Sequence, residues 1–300
     1  QNLKTKYGSQ WALVTGGSSG IGLAITETLA KQGINVVVAA LDDALMAKAK
    51  TSLPEKYPSI KFRFVSVNLG SSDPEVYMQP LKEITSDIPV SLVFNNAGYI
   101  LVGLFHLTPL ASLTANLNCN NTAAIHITHH FSNRMLSSSL RGAIFFTSSP
   151  GGFMASQWHQ CIPPQKPSSQ TLQLQSPQNL HQRNRRLCRA PIPTNTGFYS
   201  GAGLMSALKF FQGTAVSPQQ IADALFRCVG RTVVADHGYY SVINRLLLKV
   251  LDYTVMSDLM VLFVKDQGDF KAIKADQEAK IAKNGGAAGG DAFKKSVKTQ

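Results

Sequence analysis

Thr15-Gly16-Gly17-Ser18-Ser19-Gly20-Ile21-Gly22 is the stretch on which the fold turns. Trp11 to Thr15, just before it, is a short apolar run that reads as a strand. After it, Ile21, Ala24, Ile25, Thr28 and Leu29 recur on one helical face as far as Gln32, and Gly33 supplies the stop. A strand, a glycine-rich turn and a helix in that order form an anion site. Gly16 permits the sharp turn, and Gly20 and Gly22 let backbone approach a pyrophosphate and the strand. The helix N-terminus, from Ile21 onward, offers unpaired N–H groups and a partial positive charge. Ser18 and Ser19 add hydroxyl donors.

Further along, the chain keeps alternating between strand and helix. Val36-Val37-Val38-Ala39-Ala40 suits a strand buried on both faces. Asp42 is expected to begin a second helix. Phe62 to Val67 reads as a third strand and Leu92 to Phe94 as a fourth. One long helix is expected over Leu113 to Leu136, and a fifth strand over Ala143 to Phe146. This alternation implies an α/β fold, a doubly wound parallel sheet of the Rossmann type, with ligands at the carboxyl ends of its strands.

Two more motifs follow the glycine-rich turn: Asn95-Asn96-Ala97-Gly98, and Ser148-Ser149-Pro150-Gly151-Gly152. In this order the three resemble the short-chain dehydrogenase/reductase family over roughly residues 10–155 and 191–230. The resemblance implies binding of NAD(P)(H) and hydride transfer between nicotinamide and a carbonyl or alcohol carbon. Asn95, Asn96, Ala97 and Gly98 would support the central sheet and meet the adenine ribose. Asn68 and Leu69 match the adenine-ring position, although the family usually has Asp where Asn68 stands. Ser149 aligns with the serine that bonds the substrate oxygen. Asn120, eight residues before Thr128, aligns with the asparagine that holds a proton-relay water, with Asn118 and Asn121 as rivals. Thr196 matches the threonine that meets the nicotinamide amide. NAD and NADP are left undecided: the end of the second strand holds Ala40 and Leu41. Asp42 and Asp43 come slightly late, either facing the ribose or capping the next helix.

The family's Tyr-x-x-x-Lys, expected about a dozen residues after Ser149, is absent. From Gln157 to Ala190 the chain has eight Gln and no Asp or Glu, without helical or strand periodicity. Pro163, Pro164, Pro167 and Pro177 would break the helix that should carry the pair. Reading each codon from its third base permits a Tyr straddling Cys161 and Ile162 and a Lys straddling Gln165 and Lys166. Reading Asn184 to Pro193 from the second base permits Ile-Asp-Val-Cys-Val-Val-His-Pro-Ser-Pro, similar to the family's sixth strand and the loop after it. Residues of about 157–192 therefore read as frameshifted text; a divergent or irregular insertion is the alternative. Tyr57 and Lys61 have the right spacing, but Pro58 and their place before the third strand make them coincidental. His159 reads as a loop histidine. The chain as it stands should be nearly inactive, or else be a catalytically dead dinucleotide-binding module that senses cofactor or scaffolds a partner.

The net charge is +12 at pH 7. The suspect block contributes five of those charges (Lys166, Arg183, Arg185, Arg186, Arg189), leaving 12 − 5 = 7, dispersed along the chain. That pattern argues against a nucleic-acid partner. Four Cys (Cys119, Cys161, Cys188, Cys228) show neither metal-ligand nor disulfide spacing, so no metal is expected and a reducing compartment is. The expected organisation is one dinucleotide-binding domain over 1–240, a helical extension over 241–281 and a flexible tail over 282–300. Arg245, Lys249, Asp252 and Asp258 interrupt the apolar run 243–264 too often for a spanning helix, so it is read as packed or as touching a membrane surface. Val102, Leu104 and Phe105, with Leu204, Met205, Ala207, Leu208, Phe210 and Phe211, suggest an apolar, lipid-like, acyl or steroid substrate, and core packing is the other reading. A cytoplasmic location, or the cytoplasmic face of a membrane, is expected, and a homo-oligomer is compatible. An anchor upstream of Gln1 is left open.

Overall fold

The computed structural model describes residues 1–101, 104–148, 185–189, 216–229 and 234–236, and in the C-terminal part 246, 250, 255, 272 and 274–279. Among the described residues seven strands form one sheet: β1 (Trp11–Thr15), β2 (Asn35–Ala40), β3 (Phe62–Ser66), β4 (Val90–Asn95), β5 (Ala143–Ser148), β6 (Arg185–Arg189) and β7 (Val234–Asp236). Their order is β3-β2-β1-β4-β5-β6-β7, and every pairing is parallel. The order reverses between β1 and β4. Their carboxyl ends therefore border the crevice at which a doubly wound sheet binds ligands. The expected doubly wound parallel sheet is the fold observed.

Helices cover both faces: α1 (Leu3–Tyr7), α2 (Gly20–Lys31), α3 (Ala44–Lys56), α4 (Glu75–Ile84), α5 (Leu110–Leu117), α6 (Ala123–Ser137) and α7 (Pro218–Cys228). Strand alternation divides the core in two. Ala12, Val14, Val36, Val38, Leu92 and Phe94 pack on one face with Ile25 and Leu29 of α2 and Leu225 and Phe226 of α7. Leu13, Val37, Val93 and Ile144 pack on the other with Tyr77 and Leu81 of α4 and Ile127 and Phe131 of α6. The β1 and β4 burial is continuous, which is why their sequences read as unbroken apolar runs. Phe94 and Phe145 stack across neighbouring strands at 4.4 Å between ring centroids.

Two expectations are corrected. The long helix expected over Leu113–Leu136 runs without a break from Leu110 to Ser137, but it is not a regular α-helix: a π-helical turn at Asn118–Thr122 lies between α5 and α6. Asn-rich sequence has weak helix preference because its side chains bond nearby backbone, and this favours the irregular turn. The second helix starts at Ala44 rather than Asp42. Asp43 is its N-cap, accepting a hydrogen bond from the Met46 amide at 2.8 Å. In the C-terminal extension, positions 246, 250, 255, 272 and 274–279 are helical; the rest of 241–281 and the tail 282–300 lie outside the described residues. Among the described residues no helix is long and apolar enough to cross a membrane.

Candidate functional site

The site is built where β1 and β4 meet α2. Thr15, at the last position of β1, is 2% exposed and ties three backbone groups together. Its hydroxyl donates to the Phe94 carbonyl at 3.3 Å and accepts from the amides of Asn96 at 2.9 Å and Ala97 at 3.0 Å. The Asn96 carboxamide donates back to the Thr15 carbonyl at 3.2 Å. The first turn and the Asn95–Gly98 loop are thus one unit, although about 80 residues of sequence separate them. Thr15→Val should cost about 1–3 kcal/mol in a denaturant melt, because it leaves buried groups unpaired. Thr15→Ser should recover most of that loss, and equal losses in both variants would refute the hub.

The glycines are needed for close approach. Gly16 has φ +64°, and a Cβ there would lie 3.0 Å from the Ala97 Cα. A Cβ on Gly22 would fall 2.0 Å from the Gly16 carbonyl oxygen, deep inside van der Waals contact. Gly20 also has positive φ, +53°. Ser18 is buried. Ser19 is the N-cap of α2 without a side-chain capping bond, which leaves its hydroxyl for another acceptor. Ile21 is half-buried against the first core cluster.

Beside this cradle, Asn95 donates to the Thr128 hydroxyl at 3.0 Å, and its Oδ1 is buried without a hydrogen-bond partner. A buried acceptor without a partner calls for a donor from a ligand or water. The glycine cradle and this atom together fit a dinucleotide carrying phosphates and hydroxyls. Leu69 is buried in the second core cluster. Asn68 is exposed, and its side chain accepts from the Gly70 amide at 3.0 Å. Asp42, with a side chain 79% exposed, accepts from the Ser66 hydroxyl at 3.0 Å, so β2 and β3 bring an acid to the rim. Of the two acids, Asp43 is the cap.

Asn120 is buried in the π-helical turn, with its side chain committed to the loop after β4. It accepts from the Tyr99 amide at 3.0 Å and donates to the Tyr99 carbonyl at 3.0 Å and to Asn116 Oδ1 at 3.1 Å. Asn116, 1% exposed, also donates to the Tyr99 carbonyl, at 2.9 Å. Asn118 faces elsewhere, donating to the Ser71 carbonyl at 3.1 Å. Burial, and next the Cys119 thiol, push the Tyr99 phenol above its ordinary pKa, which keeps it protonated. Sequence reading missed the roles of Thr15 and Asn116. The available signals were a hydroxyl ending an apolar strand and four asparagines within six helical residues. Ser149, Gly151, Gly152, Val102, Thr196 and the 157–192 block lie outside the described residues, apart from the backbone of Arg185–Arg189. Among the described residues no cluster of His, Cys, Asp or Glu could hold a metal.

The model of the short chain dehydrogenase family matches residues 10–161, more than half of the chain. This chain belongs to the short-chain dehydrogenase family. Among its relatives, the very-long-chain 3-oxoacyl-CoA reductase of Candida albicans is 29% identical over 162 residues, 50% of this chain and 46% of that protein. The very-long-chain 3-oxoacyl-CoA reductase let-767 of Caenorhabditis elegans is 31% identical over 97 residues, 32% of this chain and 30% of that protein. The chain thus spans about a third to a half of the length of these curated relatives. Of solved structures, a 7beta-hydroxysteroid dehydrogenase has the same fold with TM-score 0.74 and 19% identity, over 87% of this chain and 99% of that one. A short-chain dehydrogenase from Sphingobium yanoikuyae in complex with NADPH has TM-score 0.65 and 22% identity, over 83% and 95%. One from Burkholderia phymatum in complex with NAD has TM-score 0.66 and 17% identity, over 82% and 95%.

Proposed function

We propose that the chain is an NAD(P)(H)-dependent oxidoreductase of an apolar carbonyl or alcohol, and that a shifted reading frame over about 157–192 has removed its proton-transfer pair. The observation that carries the cofactor reading is the cradle: Gly16 and Gly22 pressed against the Asn95–Gly98 loop, with Thr15 joining them and Asn95 Oδ1 unpartnered. Complexes of family members with NADPH and with NAD support it.

In this reading the amides at the start of α2 and the hydroxyls of Ser18 and Ser19 hold the pyrophosphate, Asn95 accepts from the adenine ribose, and Asp42 lies toward its 2′ position. A nicotinamide cofactor held by these residues would supply the hydride exchanged with the substrate carbon. Ser149 donates to the substrate oxygen. Asn120 holds Tyr99 and the π-helical turn in place for a proton relay. Thr196 meets the nicotinamide amide. The proton itself needs the missing tyrosine, and its lysine lowers the pKa.

Three observations support the frame reading. The family match ends at residue 161, where the composition changes. Prolines interrupt the segment that should be a helix. Arg185-Arg186-Leu187-Cys188-Arg189 holds three arginines in a strand between β5 and β7, where a parallel sheet calls for apolar residues. The substrate class rests on the names of the relatives and on Tyr99 and Phe105, which are exposed in the segment after β4. Leu246 and Val250, exposed and four residues apart, support peripheral membrane contact through 243–264. Exposed Leu110, Leu117 and Ile125 support self-association. The second reading, a binding module, is favoured by the lack of a Tyr-x-x-x-Lys after Ser149 in the chain as it stands.

Titration with NADH and NADPH, followed by nicotinamide fluorescence, tests the cofactor reading. Weak binding of at least one is expected. Asp42→Arg should shift the affinity ratio toward NADPH by about tenfold, the effect of one charge-assisted contact to the 2′-phosphate. Failure of both nucleotides to bind a frame-corrected chain would overturn the reading. An unchanged ratio in the variant would remove Asp42 from the ribose site.

A further inference from the structure

We infer that Gln277 is a positioning residue through which the C-terminal extension latches the loop bordering the substrate side of the sheet. The inference rests on the proposed function only in calling that side the substrate side. Its observation is a closed ring of hydrogen bonds. The Leu104 amide donates to Gln277 Oε1 at 2.7 Å, and Gln277 Nε2 donates to the Thr108 hydroxyl at 3.2 Å. The Thr108 hydroxyl donates in turn to the Leu104 carbonyl at 2.9 Å. One carboxamide therefore spans both ends of the 3-10 turn Phe105–Leu107.

The two Gln277 bonds cross 173 and 169 residues of sequence, whereas the turn's own bonds are local. A three-residue 3-10 turn has poor hydrogen-bond geometry and cannot set its own position. Its N-terminal approach is held at Tyr99 by Asn116 and Asn120, and Gln277 holds the following end. Gln277 is half-buried, so its carboxamide is partly shielded from competing water. The turn presents Phe105, 55% exposed, and the half-buried Leu104 and Leu107. Latched, it gives a fixed apolar wall beside the carboxyl end of β4; released, it gives a loose one. Gln277 thereby sets how firmly an apolar substrate is gripped.

Amide hydrogen exchange on the full chain tests this, comparing Gln277→Ala with Gln277→Glu. The glutamate keeps an acceptor for the Leu104 amide, and the alanine removes it. Exchange at Leu104 should rise about five- to tenfold in Gln277→Ala, the worth of one or two net hydrogen bonds. It should stay near the unmodified rate in Gln277→Glu, with amides of β1 and β4 unchanged in both. Chymotrypsin cleavage after Phe105 should accelerate in parallel. Unchanged exchange at Leu104 in Gln277→Ala overturns the latch. Equal acceleration at β1 and β4 also overturns it, because Gln277 would then serve the whole fold. In a frame-corrected enzyme, Gln277→Ala should raise KM for an apolar ketone more than it lowers kcat. If no ketone is turned over while Leu104 exchange still responds, the substrate reading fails and the latch stands.

Discussion

Replacing residues 157–192 by the frame-corrected sequence is expected to convert a nearly inert chain into a carbonyl reductase. The gain should be at least about 10²–10⁴-fold, the usual contribution of one positioned acid/base. The physical reason is that hydride transfer to a carbonyl leaves charge on its oxygen, which a positioned acid must neutralise, and the sequence after Ser149 lacks the tyrosine for it. The corrected segment would also remove Pro163, Pro164 and Pro167 from a helical stretch and return apolar residues to β6, so the chain should become more stable. Each large apolar side chain buried contributes roughly 1.5–3 kcal/mol. A panel of ketones and ketoacyl thioesters, assayed with both nucleotides, measures the gain. Changing the restored tyrosine to phenylalanine, or Ser149→Ala, should abolish it. Comparable turnover by the uncorrected chain would show that another group delivers the proton. Transcript sequencing across codons 150–197 tests the frame itself, and an open frame with the present residues would end that reading.

The second large effect concerns Gly22. Substitution by alanine should abolish nucleotide binding, with at least about a 100-fold loss expected from backbone displacement at a site built to sub-ångström tolerance. The added Cβ would stand 2.0 Å from the Gly16 carbonyl and 2.7 Å from Asn96 Nδ2. No rotamer relieves a Cβ clash, so the turn or α2 must move. Strain of this type costs about 1–3 kcal/mol, and a thermal melt will record it as a lower Tm. Gly8→Ala is the control. It also has positive φ, +65°, but a Cβ there meets nothing within 4 Å. It should lose stability modestly, by about 1 kcal/mol, and leave nucleotide binding intact. Equal binding by Gly22→Ala and the unmodified chain would show that the turn does not cradle a phosphate.

Local sequence determined much of this protein. Apolar runs at Trp11–Thr15, Val36–Ala40 and Leu92–Phe94 read as strands, and the glycine-rich turn between the first strand and α2 reads as a close approach of backbone. Those are consequences of steric and hydrophobic terms that act within a few residues. The tertiary structure decided the rest. Which acid faces the rim depended on Asp43 reaching the Met46 amide and Asp42 meeting Ser66 from another strand. The π-helical turn arose where Asn116 and Asn120 bond a loop some 20 residues away. Thr15 became a hub, and Gln277 a latch, through partners 79 to 173 residues distant. Hydrogen bonds between groups remote in sequence leave no periodicity behind, because each needs only one polar side chain and a folded neighbour to receive it.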